Sequence, residues 1–521
     1  MGSLNDCDKE PVQFVDSIQT FGSMIIVGED GRIEQAAFSS ELPKPASFAL
    51  GKQFSAVFSS IDKALTSLIK SRSEPTVPIL VKSDAFKKWT VCSGHKSGSK
   101  LVYEIEAAST EFSEQTIPTL KFQQERNHTI EEYLAYVCEN LRVITHFDRV
   151  MVYRFSSDWH GQVIAESLSQ NCSHSFYNHH FPASDIPEPA RELFLRNWIR
   201  VIPDVDAVPI RLEKIDNSVQ VDLTKSSLRA ASPIHIEYLQ MMGVKASMTI
   251  SIVCDGKLWG LIACHHLSPK LLSAEHRSIL SLTAKLISAR VSTVNVTAVI
   301  RATHKLKSFL DEVAVHARDL NTSLLEISRD NKVALQRLVP CESFAYMSRG
   351  VDFVAGGNCP SPHSLEKIRQ FLDSRNSDSF VTPSIVSDMP ELRELSSTAA
   401  GIVAARIADA WFVWMRPEMS QTFTWAGNPE FKNLYINPSR NGLSPRASFD
   451  SWRSETSGRA KEWAQSEIDT IEKLKEHLAT IVNHGKWLVE QKSSRFRRQL
   501  RASIKEQSAD LQKELGDNFA I

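Results

Sequence analysis

Four stretches of this sequence carry residue types from which a site is made. Phe181–Pro187 reads FPASDIP, Ser232–Gly243 reads SPIHIEYLQMMG, Ala263–His266 reads ACHH, and Cys7 lies in the polar segment NDCDKEP. Cys264 beside His265 suggests a thiol nucleophile with its base. Neighbours along a strand point to opposite sides, however, which disfavours that pair. Cys172 and His180 could mimic half of a metal site, but no second pair has ligand spacing. None of the eight cysteines forms a C-x-x-C. A lone histidine on an apolar strand is ordinarily a satisfied core residue. His235 and His265 stand out because FPASDIP and SPIH occur together in one domain-sized segment. The chemistry these residues indicate is holding a ligand, not turning one over.

The bulk numbers agree. A chain of 521 residues with 42% apolar and 23% charged content is ordinary globular protein of several domains. A net charge of -1 argues against a nucleic-acid surface spread over the chain. The N-terminus lacks a basic segment followed by an apolar run, Asp6 breaks the myristoylation pattern, and no stretch is long and apolar enough to span a membrane. These features predict a reduced, cytoplasmic protein.

The elements that must position those residues can be read along the chain. Residues 23–118 form a small α+β domain: strand Met24–Val27, turn Gly28–Gly31, strand Ile33–Phe38, a helical stretch at Leu65–Ile69 and strand Leu101–Ala107. A linker with Pro118 as breaker covers Gln115–Phe122. Residues 125–300 form a second α+β domain. Ile130–Phe147 has helical periodicity, Arg149–Phe155 and Gly161–Glu166 read as strands, and Ser247–Cys254 and Lys257–His265 flank the hairpin signal Asp255-Gly256. A two-residue turn there pairs Ser247 with Cys264 and sends Ser247 and His265 to opposite faces.

From Ser273 to about Leu338 almost nothing breaks a helix, which predicts a spine joining the second domain to a third at 305–475. Within the third domain, the loop-like segment Thr422–Trp452 holds Trp425, Phe431, Phe449 and Trp452, more aromatics than solvent tolerates. The chain reads helical again from Gln465. Two heptad registers compete near its end, one through Leu500, Ile504 and Leu511, the other through Ile504, Ser508, Leu511 and Leu515. Lys492–Arg501 reads as a solvated helix face.

FPASDIP and SPIH together resemble the bilin pocket of phytochromes. Pro445-Arg446-Ala447-Ser448-Phe449 resembles the PRxSF motif of the phytochrome tongue, with Trp425-Ala426-Gly427 and Trp452 with Glu455 resembling its tryptophan motifs. The resemblance covers nearly the whole chain. It implies a multidomain α+β architecture: an N-terminal attachment segment at 1–22, PAS at 23–118, GAF at 125–300, PHY at 305–475 with a tongue at 422–455, and a coiled-coil output linker at 476–521. It implies biliverdin, thioether-linked to Cys7 as in the bacterial branch of the family.

By the same resemblance, Arg200 and Arg229 clamp the propionates, with Ser232, Tyr238, Ser247 and Thr249 completing that shell. Asp185 and His235 meet the pyrrole nitrogens, and His265 meets the D-ring carbonyl. Tyr153, Phe181 and Phe194 surround the rotating ring, with Ile186, Pro187 and Met242 lining the pocket. Phe194 replaces the tyrosine common in the family, which bears on colour and thermal lifetime. The motif IQPHG is replaced by Ile18-Gln19-Thr20-Phe21-Gly22, so packing where the N-terminus threads the GAF domain should differ. Because Ser247 and His265 both face the pigment, a bulge or a longer turn is expected between them.

D-ring Z/E isomerisation is then expected to break an Asp185–Arg446 contact, transfer it to Ser448, and refold the tongue around Trp425 and Trp452. The signal would pass through a parallel homodimeric coiled coil to an effector, a diguanylate cyclase or a histidine kinase. The chain ends at Ile521 straight after the heptads, which reads as a fragment lacking that effector. The chain is thus expected to be a sensory module, not an enzyme, with no metal, membrane or nucleic-acid partner. The rival is a GAF domain that senses a cyclic nucleotide, which leaves Cys7 and the tongue motif unexplained.

Overall fold

The structure is a computed structural model, described here for residues 12–108, 129–156, 159–215, 220–316, 324–348, 351–419, 421–426, 451–456, 458–480 and 498–499. Cys7, the 115–122 linker, Arg446, Ser448 and the competing heptads lie outside the described residues. The chain forms two compact units, Met1–Val294 with Phe423–Ser454 and Asn295–Thr422 with Glu455–Ile521.

Among the described residues the first unit contains two large sheets and a two-stranded one, Ser17–Ile18 with Ile210–Arg211. The smaller of the two large sheets is six-stranded, in the order Glu213–Lys214, Ile33–Ala37, Ser23–Val27, Lys100–Ala107, Lys88–Ser97, Ile79–Ser83. Its core holds Ile25, Phe54, Phe58, Leu65, Tyr103 and Ile105. The stretch Leu65–Ile69, read as helical, lies in a helix: a π-helical segment Asp62–Thr66 runs into the α-helix Ser67–Lys70.

The larger sheet runs Ile199–Ile202, Ala246–Cys254, Lys257–His266, Arg149–Phe155, Gly161–Leu168, His179–Phe181, Gln421–Ala426, Ser451–Thr456. Helix Ile130–Thr145 opens with a capping box between Thr129 and Glu132, and His146 ends it in the left-handed conformation. Its buried residues Leu134, Val137, Cys138 and Leu141 recur at helical spacing and pack on one face of this sheet, against Val150, Val152, Met248, Ile250, Ile262 and Cys264.

Asp255 and Gly256 both have positive φ (51° and 73°), the turn that matches strand twist. Cys254 pairs with Lys257 and Val253 with Leu258, but Ile252 pairs with Gly260, leaving Trp259 as an extra residue. The expected bulge is therefore present. Beyond it the pairing is displaced by one, so Ser247 lies opposite His265.

One prediction is overturned. The stretch Ser273–Leu338 is not a single helix: Ala274–His316 is continuous for 43 residues, about 65 Å at ~1.5 Å per residue, and the chain then forms two short helices, Leu324–Asp330 and Lys332–Gln336. Asn331, at φ -104° and ψ 16°, separates the last two. No proline or glycine marks that step. The second unit's sheet instead draws Leu335 into its core, where Trp414 donates its indole N–H to the Leu335 carbonyl at 2.8 Å.

That sheet has five antiparallel strands, in the order Val351–Gly356, Ser343–Ser348, Ala410–Arg416, Gly401–Ile407, Ser379–Thr382. Helix Pro362–Ser374 covers one face through Leu365, Ile368 and Leu372. Leu306, Phe309, Ile471 and Leu474 cover the other.

Gly161 is fixed by close approach: a Cβ there would lie 1.9 Å from Tyr153 Cζ. Gly161→Ala should therefore expel the Tyr153 ring or strain the strand, lowering stability by about 1–3 kcal/mol. A urea midpoint equal to that of the wild type would show that the ring yields freely.

Candidate functional site

In an antiparallel sheet, residues directly opposite each other share a face. Arg200 lies opposite Thr249, Ser247 opposite His265, His265 opposite Arg149, and Leu261 opposite Tyr153. Arg200, Thr249, Ser247, His265 and Tyr153, singled out from sequence, thus share one face of the larger sheet. Cys264 is on the other face in the helix-covered core, which separates it from His265.

Helix Pro233–Met241 brings the SPIH residues to this face. Ser232 caps it by accepting the Ile234 N–H at 3.2 Å, and Pro233 occupies its first turn. His235 and Tyr238, three residues apart, stack with ring centroids 6.0 Å apart and planes 15° apart. The Tyr238 hydroxyl donates to Asp185 at 3.2 Å, tying this helix to the short turn Ala183–Asp185 of FPASDIP. Pro187 then caps helix Glu188–Arg196, which carries Phe194.

The aromatic residues converge. Tyr153 and Phe181 have ring centroids 5.9 Å apart at 67°, and Phe176 joins Phe181 at 5.8 Å. Ile186, Phe194 and Met242 pack against the same cluster, which also includes Ala426. Next to Ala426, Trp425 pairs with His180, their ring centroids 5.7 Å apart, and lies 6.2 Å from the ring of His160. The two tongue arms are extended here, Gln421–Ala426 and Ser451–Thr456 forming neighbouring strands, with Trp452 half-buried.

The guanidiniums occupy a loop that reaches back to the N-terminus. Arg200 donates to the carbonyls of Ser226, Ser227 and Arg229. Arg229 donates to the Val12 carbonyl at 2.6 Å. Gln19, which sequence reasoning left without a role, donates to Val201, Ser227 and Arg229 carbonyls at 3.0–3.3 Å. The buried Glu104 of the smaller sheet accepts from Ser227 and Leu228. Phe21, from the departing IQTFG motif, packs against the cores of both sheets and lies 5.2 Å beneath the Arg277 guanidinium, which pairs with Glu106.

The electrostatics of this face favour a carboxylate-bearing guest. Burial, and then the charge of Arg229, push the Arg200 guanidinium well below its ordinary value, with Glu104 opposing. Burial and then Arg200 push His235 down to about 4; burial, then Arg149 and His235, push His265 down to about 3. The His265 Nδ1 is buried without a hydrogen-bond partner among the described residues. An orphaned imidazole nitrogen, two adjoining guanidiniums and an aromatic cluster fit a conjugated ligand with carboxylate arms and a polar carbonyl. Sequence reasoning also missed Arg149 and Glu166, an ion pair at 3.1 Å on the same face. Their alternation with Met151 and Tyr153 along the strands was the available signal.

A sheet with an apolar, helix-covered face and a polar, aromatic-walled face opposite it is a framework for holding a ligand. Comparison with known proteins gives the family. The PAS fold matches residues 7–108, the GAF domain 129–291 and the phytochrome region 304–486. The chain is 30% identical to cyanobacterial phytochrome B of Nostoc sp., covering 92% of this chain and 66% of that protein. It is 30% identical to a bacteriophytochrome of Xanthomonas campestris, covering 91% and 78%. The crystal structure of a bacteriophytochrome from the photosynthetic bacterium R. palustris superposes with a TM-score of 0.77 at 28% identity, covering 92% of this chain and 99% of that one. The photosensory core of Stigmatella aurantiaca phytochrome gives 0.76 at 28%, with the same coverage.

The chain belongs to the phytochrome family and is a PAS–GAF–PHY photosensory module. It spans about two thirds of the length of the Nostoc relative. The cofactor this family implies is a linear tetrapyrrole, and the residues described fit it. A cyclic-nucleotide GAF sensor is not favoured by these relatives.

Histidines held neutral make a prediction. Above their ordinary value of 6.5 both rings are neutral, folded or unfolded. As pH falls from 6.5 towards 4 and then 3, the unfolded chain takes up protons that the folded pocket refuses, so stability falls. Urea midpoints between pH 7 and 4 should show this, and His265→Gln should flatten the slope by up to roughly 1.4 kcal/mol per pH unit.

Proposed function

We propose that this red/far-red photoreceptor module takes biliverdin as its linear tetrapyrrole, thioether-linked to Cys7. The observation that carries the reading is the convergence of Arg200, Arg229, His235, His265 and the Tyr153–Phe181–Phe194 cluster from one sheet face, the 226–229 loop and two helices beside it. When bound, the pigment supplies red and far-red absorption and Z/E isomerisation at its D ring.

The chain's residues bind, orient and report. Arg229 and Arg200 hold the propionates, with Arg200 giving up carbonyl partners of the 226–229 loop to do so. Ser232, Tyr238, Ser247 and Thr249 complete that shell. Asp185 and His235 face the pyrrole nitrogens. His265 meets the D-ring carbonyl, and its orphaned Nδ1 shows that the ring has hydrogen-bonding capacity to spare. Ile186, Pro187 and Met242 close the apolar walls. Asp185 exchanges Arg446 for Ser448 as the tongue refolds, and Trp425 and Trp452 move with its arms.

The chain divides as PAS 23–118, GAF 125–300 and PHY 305–475 with tongue 422–455, followed by a coiled-coil linker. It works as a parallel dimer. Ile279, Leu282 and Leu286 support this reading: they are exposed at helical spacing along Ala274–His316. The protein is cytoplasmic and signals to a diguanylate cyclase or histidine kinase.

Protein produced with biliverdin should show absorbance bands in the red and far-red that interconvert reversibly under alternating red and far-red light. Cys7→Ala should abolish covalent attachment, read as loss of zinc-induced bilin fluorescence in a denaturing gel. Absence of bound pigment in the wild type would overturn the assignment. Separately, Leu282→Glu with Leu286→Glu should shift the protein from dimer to monomer in sedimentation; an unchanged dimer would place the interface elsewhere.

A further inference from the structure

Arg149 stands next to His265 on the pocket face, directly opposite it across the ladder. Its side chain is 6% exposed, with Nε 3.1 Å from Glu166 Oε1. A terminal nitrogen donates to the His174 carbonyl at 2.6 Å, and the guanidinium carbon lies 4.3 Å from the Phe176 ring centroid. Glu166 in turn accepts the backbone N–H groups of Phe176 at 3.1 Å and Tyr177 at 3.2 Å, and the Ser175 hydroxyl. The carboxylate is held by the turn after strand Gly161–Leu168, and the guanidinium is held by the carboxylate, a carbonyl and a ring.

None of these anchors is His265. Directly opposed residues in an antiparallel ladder have Cβ atoms about 4.5–5.5 Å apart. A positive charge carried by the residue directly opposite disfavours a second proton on an imidazole. Across the other ladder, Ser247 is neutral. Burial is the largest cause that lowers His265; among the described residues Arg149 and then His235 are the charged and titratable groups whose fields add to it, and Glu166 is engaged with Arg149.

We propose that Arg149 is a positioning residue of the photochemical site: anchored by Glu166, it holds His265 as a neutral imidazole, so that the ring presents one N–H and one lone pair to the chromophore instead of two N–H groups. The identity of that chromophore rests on the function proposed above; the neutrality of His265 does not. A neutral ring donates or accepts at the D-ring carbonyl without adding a positive charge beside the pyrrole nitrogens.

The test uses the full chain without pigment, labelled with ¹⁵N-histidine and followed by NMR from about pH 8 down to about 4, through and below the range in which an ordinary histidine titrates. His265→Gln identifies the signals. In the wild type the His265 nitrogens should keep the neutral pattern throughout. Arg149→Gln with Glu166→Gln removes the charge pair together, leaving no orphaned carboxylate. In that variant the proton affinity of His265 should rise at least tenfold and its nitrogens should begin to titrate within the range.

Arg149→Lys retains the charge and should resemble the wild type. Circular dichroism establishes folding; if the double variant is unfolded, Arg149→Gln alone is judged by the same criterion. His265 remaining neutral in a folded charge-free variant would overturn the proposal. Failure of the wild type to take up biliverdin would instead overturn the function and leave this result standing.

Discussion

A one-residue bulge in the hairpin Ala246–His266 is the constraint on which the pocket depends. Trp259 is the extra residue, and everything beyond it is displaced by one position relative to the turn. Because side chains alternate along a strand, that displacement moves a whole set of residues across the sheet. It places Ser247 and His265 on the face that carries Arg149, Met151 and Tyr153, and leaves Met248, Ile250 and Cys264 to the helix-covered core. Without the bulge the pocket would lose either its serine or its histidine to the hydrophobic side.

Around that face the protein concentrates buried charge, which is costly unless it is paired or hydrogen-bonded. The pairing is done by backbone as much as by counter-ions. Arg200 and Gln19 both donate to carbonyls of the 226–229 loop, Arg229 reaches Val12, and Glu104 receives the N–H groups of Ser227 and Leu228. This ties the N-terminal segment, the smaller sheet and the pocket loop into one polar lattice. Thr20-Phe21 is compatible with that lattice, because Phe21 fills the space between two cores and supports Arg277 from below. The guanidiniums are thereby held near each other, short of negative charge, in a pocket whose histidines are kept neutral by burial first and by the neighbouring guanidiniums after it.

Local elements were legible where local physics sets them. The strand Arg149–Phe155, the hairpin and its Asp255-Gly256 turn, and the capped helix at 130–145 follow from apolar periodicity and turn chemistry. The aromatic excess of 422–452 also had a physical reading: Trp425 sits on a strand of the larger sheet and packs beside His160 and His180. The break at Asn331 was not legible, since no proline or glycine announces it. Tertiary packing of Leu335 beneath Trp414 outweighs the helical propensity of the stretch.

By itself the sequence determined the family, through FPASDIP, SPIH and the tongue motif, and with the family a set of candidate residues, of which Arg200, Thr249, Ser247, His265 and Tyr153 share one sheet face. It also set up the conflict between a two-residue turn and a shared face for Ser247 and His265. Only the tertiary structure decided how that conflict resolves, where Gln19 is spent, and that Arg149 and Glu166 stand behind His265. The reason is physical. Residue type and spacing report alternation along a strand, whereas register, burial and the field of a neighbouring charge depend on which strands lie side by side, a property of the folded sheet as a whole.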